Sequence, residues 1–313
     1  MALSVDRIKI TPGYLVIYQE WEKVLRREEY TTPMINQPGG YLSSKSQIKL
    51  KLALNHLLYM STINRSITTS KHKEFNFRVN MISLTLSSTQ IHSDYVIKSK
   101  MLQPFLRIMR NRWEVENYIW KAESQDNCNI HFHITLSKYI HWSDIRATWN
   151  TIQETMGYIS RSGITDPNST DVKAITSFRK WNSDVVGYIG KKDREKKVKA
   201  EQANDEHYYK NYMMLDACDL KSRKEVQLKR PIEGKIWDCS EVLKQINCRE
   251  YISADMMDDV NLAVQEAEWK SSDTFADVIV MKAGGLNRYP HLRKKLNDCI
   301  GLALSNKKNK VKQ

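Results

Sequence analysis

An α+β fold, an antiparallel β-sheet with flanking helices, is what this sequence predicts, on three observations. Between residues 75 and 199 the hydrophobic periodicity runs strand, helix, strand, strand, helix, strand, helix. The two middle strand patterns are joined by a short turn-rich stretch, which reads as a β-hairpin and makes its strands antiparallel. The 313 residues are 41% apolar and 27% charged, enough for a packed core rather than disorder.

The elements follow in order. The first 45 residues predict irregular structure, punctuated by Pro12-Gly13, Pro33 and Pro38-Gly39-Gly40. Residues 46–61 predict a helix whose buried face is Ile48, Leu52, Leu54, Leu57 and Leu58. A basic, polar link over 65–73 precedes a strand at 75–87. The next helix takes Ser93 or Asp94 as N-cap and buries Ile97, Met101, Phe105 and Ile108; Pro104 is expected to kink or shorten it. Residues 117–123 and 130–137 are the hairpin strands. Ser143 is read as the cap of a helix that buries Ile145, Trp149, Ile152 and Met156 and ends at Gly157. A loop at 160–170, a strand at 172–176 and a helix from 178 to about 199 complete the pattern. Beyond Asp216 come a basic Pro/Gly-broken stretch (221–235), an acidic helical segment, a strand at 275–281 and a basic tail at 307–312. The chain therefore divides into an N-terminal extension with one helix (1–74), a sheet domain (75–216) and a C-terminal accessory region (217–313).

Charge narrows the partner. The chain holds 49 Lys+Arg against 36 Asp+Glu, a formal +13, and a polyanion is the commonest reason to tolerate that excess. The excess is uneven: residues 236–287 carry four basic and ten acidic side chains, so the rest of the chain is more basic than the total implies. Five scattered cysteines with no C-x-x-C read as reduced thiols, not as a disulfide frame or a cysteine-based zinc site. There is no basic-then-apolar leader pattern and no run near 18 apolar residues, so the expectation is a cytoplasmic protein with no membrane partner.

The hairpin carries the chemistry. In Ile130-His131-Phe132-His133-Ile134, strand alternation sends both imidazoles to one face and Phe132 and Ile134 to the other. Glu123, eight residues before His131, joins the imidazole face if the loop holds an odd number of residues, such as three or five. Two histidines and one carboxylate can hold a divalent ion and leave positions open for a substrate oxygen. An H-x-H on a strand also occurs as an incidental or structural pair. On the helix at 178–199, Tyr188 lies beside the core stripe Trp181, Val185 and Ile189, with Lys191 and Lys192 one turn on. A phenol beside a cation can act as a nucleophile toward phosphate. The pattern Y-x-x-K also fits Tyr95…Lys98 and Tyr118…Lys121, and Tyr158 is the alternative nucleophile.

Three motifs in order, Ile82-Ser83-Leu84-Thr85-Leu86, Glu123…His131-Phe132-His133 and Tyr188-x-x-Lys191, resemble those of the HUH endonuclease superfamily. More narrowly, the chain resembles its rolling-circle replication initiators (Rep) of small bacterial phages and plasmids. The resemblance covers about residues 76–199. It implies an RRM-like, ferredoxin-like sheet, with Glu123, His131 and His133 as ligands of Mg²⁺ or Mn²⁺. It implies Tyr188 as the nucleophile that nicks single-stranded origin DNA, as a plain strand or a hairpin, through a 5′-phosphotyrosine, with Lys191 stabilising phosphate charge. DNA contacts are then expected from Lys192, Arg194, Lys196 and Lys197 after the tyrosine, and from Arg107, Arg110 and Arg112 on the earlier helix; each also reads as a solvated helix face. The G-x-x-x-x-G-K-[ST] loop of helicases is missing, so a separate helicase would join a polymerase as partner, in the cytoplasm of a bacterial host.

Other readings remain beside it. A transposase or relaxase of the same superfamily has the same chemistry, and a non-catalytic nucleic-acid-binding protein would use the basic surface alone. His133-Ile134-Thr135-Leu136 also fits the strand motif of 2H phosphoesterases, whose second copy is matched only by His141-Trp142-Ser143.

Overall fold

The computed structural model describes residues 4–21, 44–61, 64–68, 73–77, 79–125, 127–160, 166–175, 230–272, 276–281 and 285–311. Within them the protein is α+β with antiparallel sheets, and the chain forms two units.

One unit is made from both ends of the chain. Its strands are β1 (Ser4–Ile10), β2 (Tyr14–Trp21), β10 (Arg249–Tyr251), β11 (Trp269–Ser272) and β12 (Ala276–Val280), in the order β10-β1-β2-β12-β11. The expected irregular start is therefore a hairpin. Pro12-Gly13 is its turn, closed by Thr11 N–H donating to the Tyr14 carbonyl at 3.1 Å and by the Tyr14 N–H donating to Thr11 Oγ1 at 3.0 Å. The helices are α5 (Glu241–Gln245), α6 (Ala254–Glu266) and α7 (Pro290–Val311), and α7 packs on β1, α5 and α6. Asp259 of α6 starts α7: its Oδ2 accepts from the backbone N–H groups of His291 and Leu292 at 2.7 and 3.1 Å. The basic tail at 307–312 continues that helix as far as Val311. Gly285 (φ 49°) has no room for a side chain, since a Cβ there would sit 2.7 Å from the Pro12 carbonyl oxygen. Because β1 and β2 find their sheet partners near the other terminus, the division at 74/75 and 216/217 does not hold.

The second unit carries the rest of the described chain, up to 175 and again over 230–240. Its main sheet contains β5 (Val79–Leu84), β6 (Tyr118–Ser124), β7 (Ile130–Leu136), β8 (Thr170–Ile175) and β9 (Trp237–Cys239), in the order β8-β5-β7-β6-β9. The expected strand at 75–87 is split: β4 (Lys73–Phe77) pairs instead with β3 (Asn64–Thr68), a strand where a polar link was expected.

Between β5 and β6 run α2 (Asp94–Ile97), a π-helical turn (Lys98–Leu102) and α3 (Gln103–Asn111). Ser93 is the N-cap, its side chain accepting from the Val96 N–H. Pro104 does not end the helix: it stands in the first turn of α3, directly after the π-helical turn. The chain absorbs its missing N–H and its bulk in the preceding π turn, where the Gln103 N–H donates to Lys98. After β7 comes α4 (Trp142–Thr155), whose cap is His141 rather than Ser143: the His141 ring accepts from the Ser143 N–H. Gly157 ends α4 at φ 79°, with Tyr158 N–H reaching back to the Gln153 carbonyl at 2.9 Å.

Apolar alternation decides which side of the sheet the helices cover. Ile82, Leu84, Trp120, Ala122, Phe132 and Ile134 point into one core with Phe105, Met109, Ile145 and Trp149. Phe132 is fully buried, edge-on to Trp120 and Trp149. The first helix, α1 (Ser44–Met60), packs against β6 and β9. It buries Leu50, Ala53, Leu54, Leu57 and Leu58, while Ile48, expected inside, is 61% exposed.

Candidate metal centre

The centre follows from the alternation that builds the core. Since Phe132 and Ile134 are held in the helix-covered core, His131 and His133 must project from the other face of β7. The loop between β6 and β7 is residues 125–129, an odd number. Gln125 N–H donates to the Asn129 carbonyl at 2.8 Å, and Cys128 takes the left-handed conformation (φ 64°) that the turn needs. This loop pairs Glu123 with His131 and Lys121 with His133, so all four side chains share one face.

Their polar atoms converge. His131 Nε2 and His133 Nε2 are 2.7 Å apart, and Glu123 Oε1 lies 2.7 Å from the first and 2.5 Å from the second. The histidines are 9% and 3% exposed. Two imidazole nitrogens and one carboxylate oxygen so close together hold more lone pairs than protons, an arrangement that a cation satisfies. Burial pushes the His133 imidazolium downward, against the opposing pull of Glu123, which favours the neutral ring that a metal requires. The donor set of two imidazoles and a carboxylate fits a divalent ion.

Outer partners hold these ligands in place. His133 Nδ1 is 3.0 Å from Ser83 Oγ on β5, so an Nδ1–H donated to Ser83 leaves the Nε2 lone pair facing the cluster. Ser83→Ala should therefore weaken Mn²⁺ binding by about 10–100-fold, read by calorimetric titration, while the fold is kept. Lys121, 2% exposed, places Nζ 3.4 Å from Glu123 Oε2 and so leaves Oε1 to the histidines. One row of paired residues, Asp171, Ser83, His133, Lys121 and Trp237, crosses all five strands on this face. Trp237 Nε1–H in turn donates to Ser46 Oγ of α1 at 2.7 Å, tying that helix to β9.

Two of these residues had no assigned role in the sequence. Ser83 sat unremarked in the first motif, and Lys121 entered only as a chance Y-x-x-K match. Strand alternation from Glu123 was the signal available for Lys121. Ser83 needed the β5–β7 register, which links residues 50 apart.

The other expected residues separate from the centre. Arg107, Arg110 and Arg112 are exposed on α3 and its C-cap, on the side of the sheet covered by α2, α3 and α4, whereas the cluster is on the opposite side, the face whose Trp237 bonds to α1. They are not neighbours of the metal site. Tyr188, Lys191, Lys192, Arg194, Lys196 and Lys197 lie outside the described residues. Tyr158, the alternative nucleophile, is 4% exposed in the helix-side core, and its hydroxyl accepts from the backbone N–H of Ile91 and His92 at 3.3 and 3.2 Å. That geometry makes it a structural residue. His141 is likewise occupied as the cap of α4, which removes the second copy that a 2H phosphoesterase would need. Trp120 packs in the helix-side core and Trp113 against it, so neither is placed at the cluster.

Among the described residues no helix is long and apolar enough to cross a membrane. No protein-family model matches the chain, and comparison with curated proteins and with solved structures returns no match.

Proposed function

We propose that this chain is a metal-dependent DNA nicking-joining endonuclease of the HUH type, acting as a rolling-circle replication initiator. The observation that carries the reading is the convergence of Glu123 Oε1, His131 Nε2 and His133 Nε2 within 2.7 Å on one sheet face. Supporting it is the succession β5, α2–α3, β6, β7, α4, β8 with strand order β8-β5-β7-β6. A β-α-β-β-α-β succession is what a ferredoxin-like or RRM-like fold would use, and the histidines stand on a central strand of it.

A Mg²⁺ or Mn²⁺ bound there supplies Lewis-acid polarisation of a phosphate oxygen. The chain's own residues supply the rest. Glu123, His131 and His133 hold the ion; Ser83 and Lys121 hold His133 and Glu123. Tyr188 releases its phenolic proton to solvent and attacks the phosphorus. The bond to the 3′ oxygen breaks, and that oxygen takes up a proton to leave as a 3′-OH, while the 5′ phosphate stays on the tyrosine. Lys191 stabilises the added phosphate charge. A later 3′-OH reverses the exchange, since one phosphate ester is traded for another of similar energy. The free 3′-OH serves a separate polymerase, a separate helicase unwinds the strand, and the basic excess binds the single-stranded origin.

The test uses labelled single-stranded oligonucleotides tiled across the replicon that encodes the protein, with Mn²⁺, Mg²⁺ or EDTA, run on denaturing protein gels. A metal-dependent band bearing label from the 3′ portion of the cut strand is expected. It should vanish in Tyr188→Phe while DNA binding is retained. Tight, salt-sensitive binding with no cut and no adduct, at every tile and metal, would establish a non-catalytic nucleic-acid-binding protein instead.

A further inference from the structure

A second group of metal-ligating side chains stands in the other unit, and the proposed nuclease chemistry makes no use of it. Cys248 extends β10, because its carbonyl accepts from the Ile10 N–H at 3.0 Å as the next step of the β1–β10 ladder. Residues 248 and 250 therefore share a face of that strand. Cys299 comes from α7. The ligand atoms of Cys248, Glu250 and Cys299 all lie within 4.8 Å of one another. Cys299 Sγ is 3.9 Å from Glu250 Oε1, and Cys248 Sγ is 3.6 Å from the Lys295 carbonyl, one helical turn before Cys299.

We propose that Cys248, Glu250 and Cys299 form a zinc site that clips β10 to α7, with a water molecule as fourth ligand. Soft thiolates select zinc over Mg²⁺ or Mn²⁺, which separates this site chemically from the imidazole-carboxylate cluster. Tetrahedral zinc, with Zn–S near 2.3 Å and Zn–O near 2.0 Å, needs ligand atoms about 3.5–3.8 Å apart. The Cys299–Glu250 separation is already close to that. On binding, each thiol gives its proton to solvent, so two thiolates, one carboxylate and Zn²⁺ sum to a single negative charge. Burial pushes the Cys248 thiol up, as do its neighbours Cys299 and Glu250, while Lys295 pulls the other way; a cation between the sulfurs offsets that cost. Cys248 is 2% exposed while Glu250 and Cys299 are half-buried, so the three protein ligands approach from the inner side and the water completes the site from the outer one. The sequence alone argued against a cysteine-based zinc site, because the two cysteines are 51 residues apart and no C-x-x-C announces them.

The experiment is metal analysis of the full chain purified with reductant and added zinc, together with cobalt substitution. One zinc per chain, and a thiolate-to-cobalt charge-transfer band on substitution, are expected in His133→Ala, whose imidazole–carboxylate centre has lost a ligand. Both should be lost when Cys299→Ser is added to that variant. Glu250→Gln, a milder change at a partly exposed position, should retain the band but weaken zinc binding at least about tenfold in competition with a chromophoric chelator. Zinc content unchanged by Cys299→Ser, a cobalt spectrum without the thiolate band, or a wild-type chain isolated as a Cys248–Cys299 disulfide would each overturn the proposal.

Discussion

In the proposed nicking reaction, replacing His133 with alanine should reduce metal-dependent strand cleavage by more than the about 10–100-fold that removal of an outer partner costs, because a ligand itself is lost. The geometry makes His133 the most demanding of the three positions. Its Nε2 is the atom closest to Glu123 Oε1, at 2.5 Å, and its Nδ1, unlike that of His131, has a side-chain partner, Ser83. Removing it leaves His131 and Glu123 as a two-ligand remnant, and Lys121 then holds a carboxylate with little to coordinate. The strand should survive, since the change faces away from the core held by Phe132 and Ile134. Circular dichroism should thus match the wild type while cleavage at limiting Mn²⁺ disappears. Full activity under those conditions would mean that the cluster is a structural pair of histidines.

The second large effect is on stability. Asp94, whose side chain is fully buried, accepts from both terminal nitrogens of Arg230, at 2.6 and 2.8 Å, and from the backbone N–H of Glu233 at 3.0 Å. Arg230→Ala should cost about 3 kcal/mol in denaturant unfolding, the lower end for stripping a buried charge of its partner, because Gln90 and the Glu233 N–H remain. Asp94→Asn in the same background should recover part of the loss, since a neutral amide needs no counter-charge. Burial pushes the Asp94 carboxyl upward, but Arg230, the Glu233 N–H and Gln90 outweigh it and hold it below its ordinary value. A lowered carboxylate contributes stability above the unfolded value, near 3.8, and loses it as pH falls toward and through the folded one. The difference between wild type and Asp94→Asn should therefore shrink below about pH 4. If Arg230→Ala unfolds at the wild-type denaturant midpoint, the pair contributes no net stability. The pair also bears on the centre: it anchors residues 230–233, from which the chain reaches β9, whose Trp237 pairs with Lys121.

What the sequence disclosed was local. The hairpin at 117–137 was legible because its alternation is strict, and because an odd loop was the one condition that puts Glu123 with His131; five residues fulfil it. The helices at 46–61 and 143–157 were legible from their periodicity, although Ile48 points outward and His141 replaced Ser143 as the cap. The long-range pairings were hidden. Residues 7–9 pair with 249–251, and residues 14–18 with 276–280, so the local Pro and Gly suggested irregular structure where they mark a tight turn. The same blindness concealed Ser83 beside His133, and Cys299 beside Cys248. The α+β class followed from element order alone, whereas the strand order β8-β5-β7-β6-β9 required the pairings themselves.

Mn²⁺ binding by the intact chain tests the central claim most directly, because it needs no knowledge of the DNA site. Free Mn²⁺ is followed by electron paramagnetic resonance during titration of the wild type and of the Glu123→Ala/His131→Ala/His133→Ala variant. One bound ion per chain in the wild type, abolished in the variant, with folding intact in both, is the expected result. Equal binding by the two proteins, or none by the wild type, would contradict a metal centre on this sheet face.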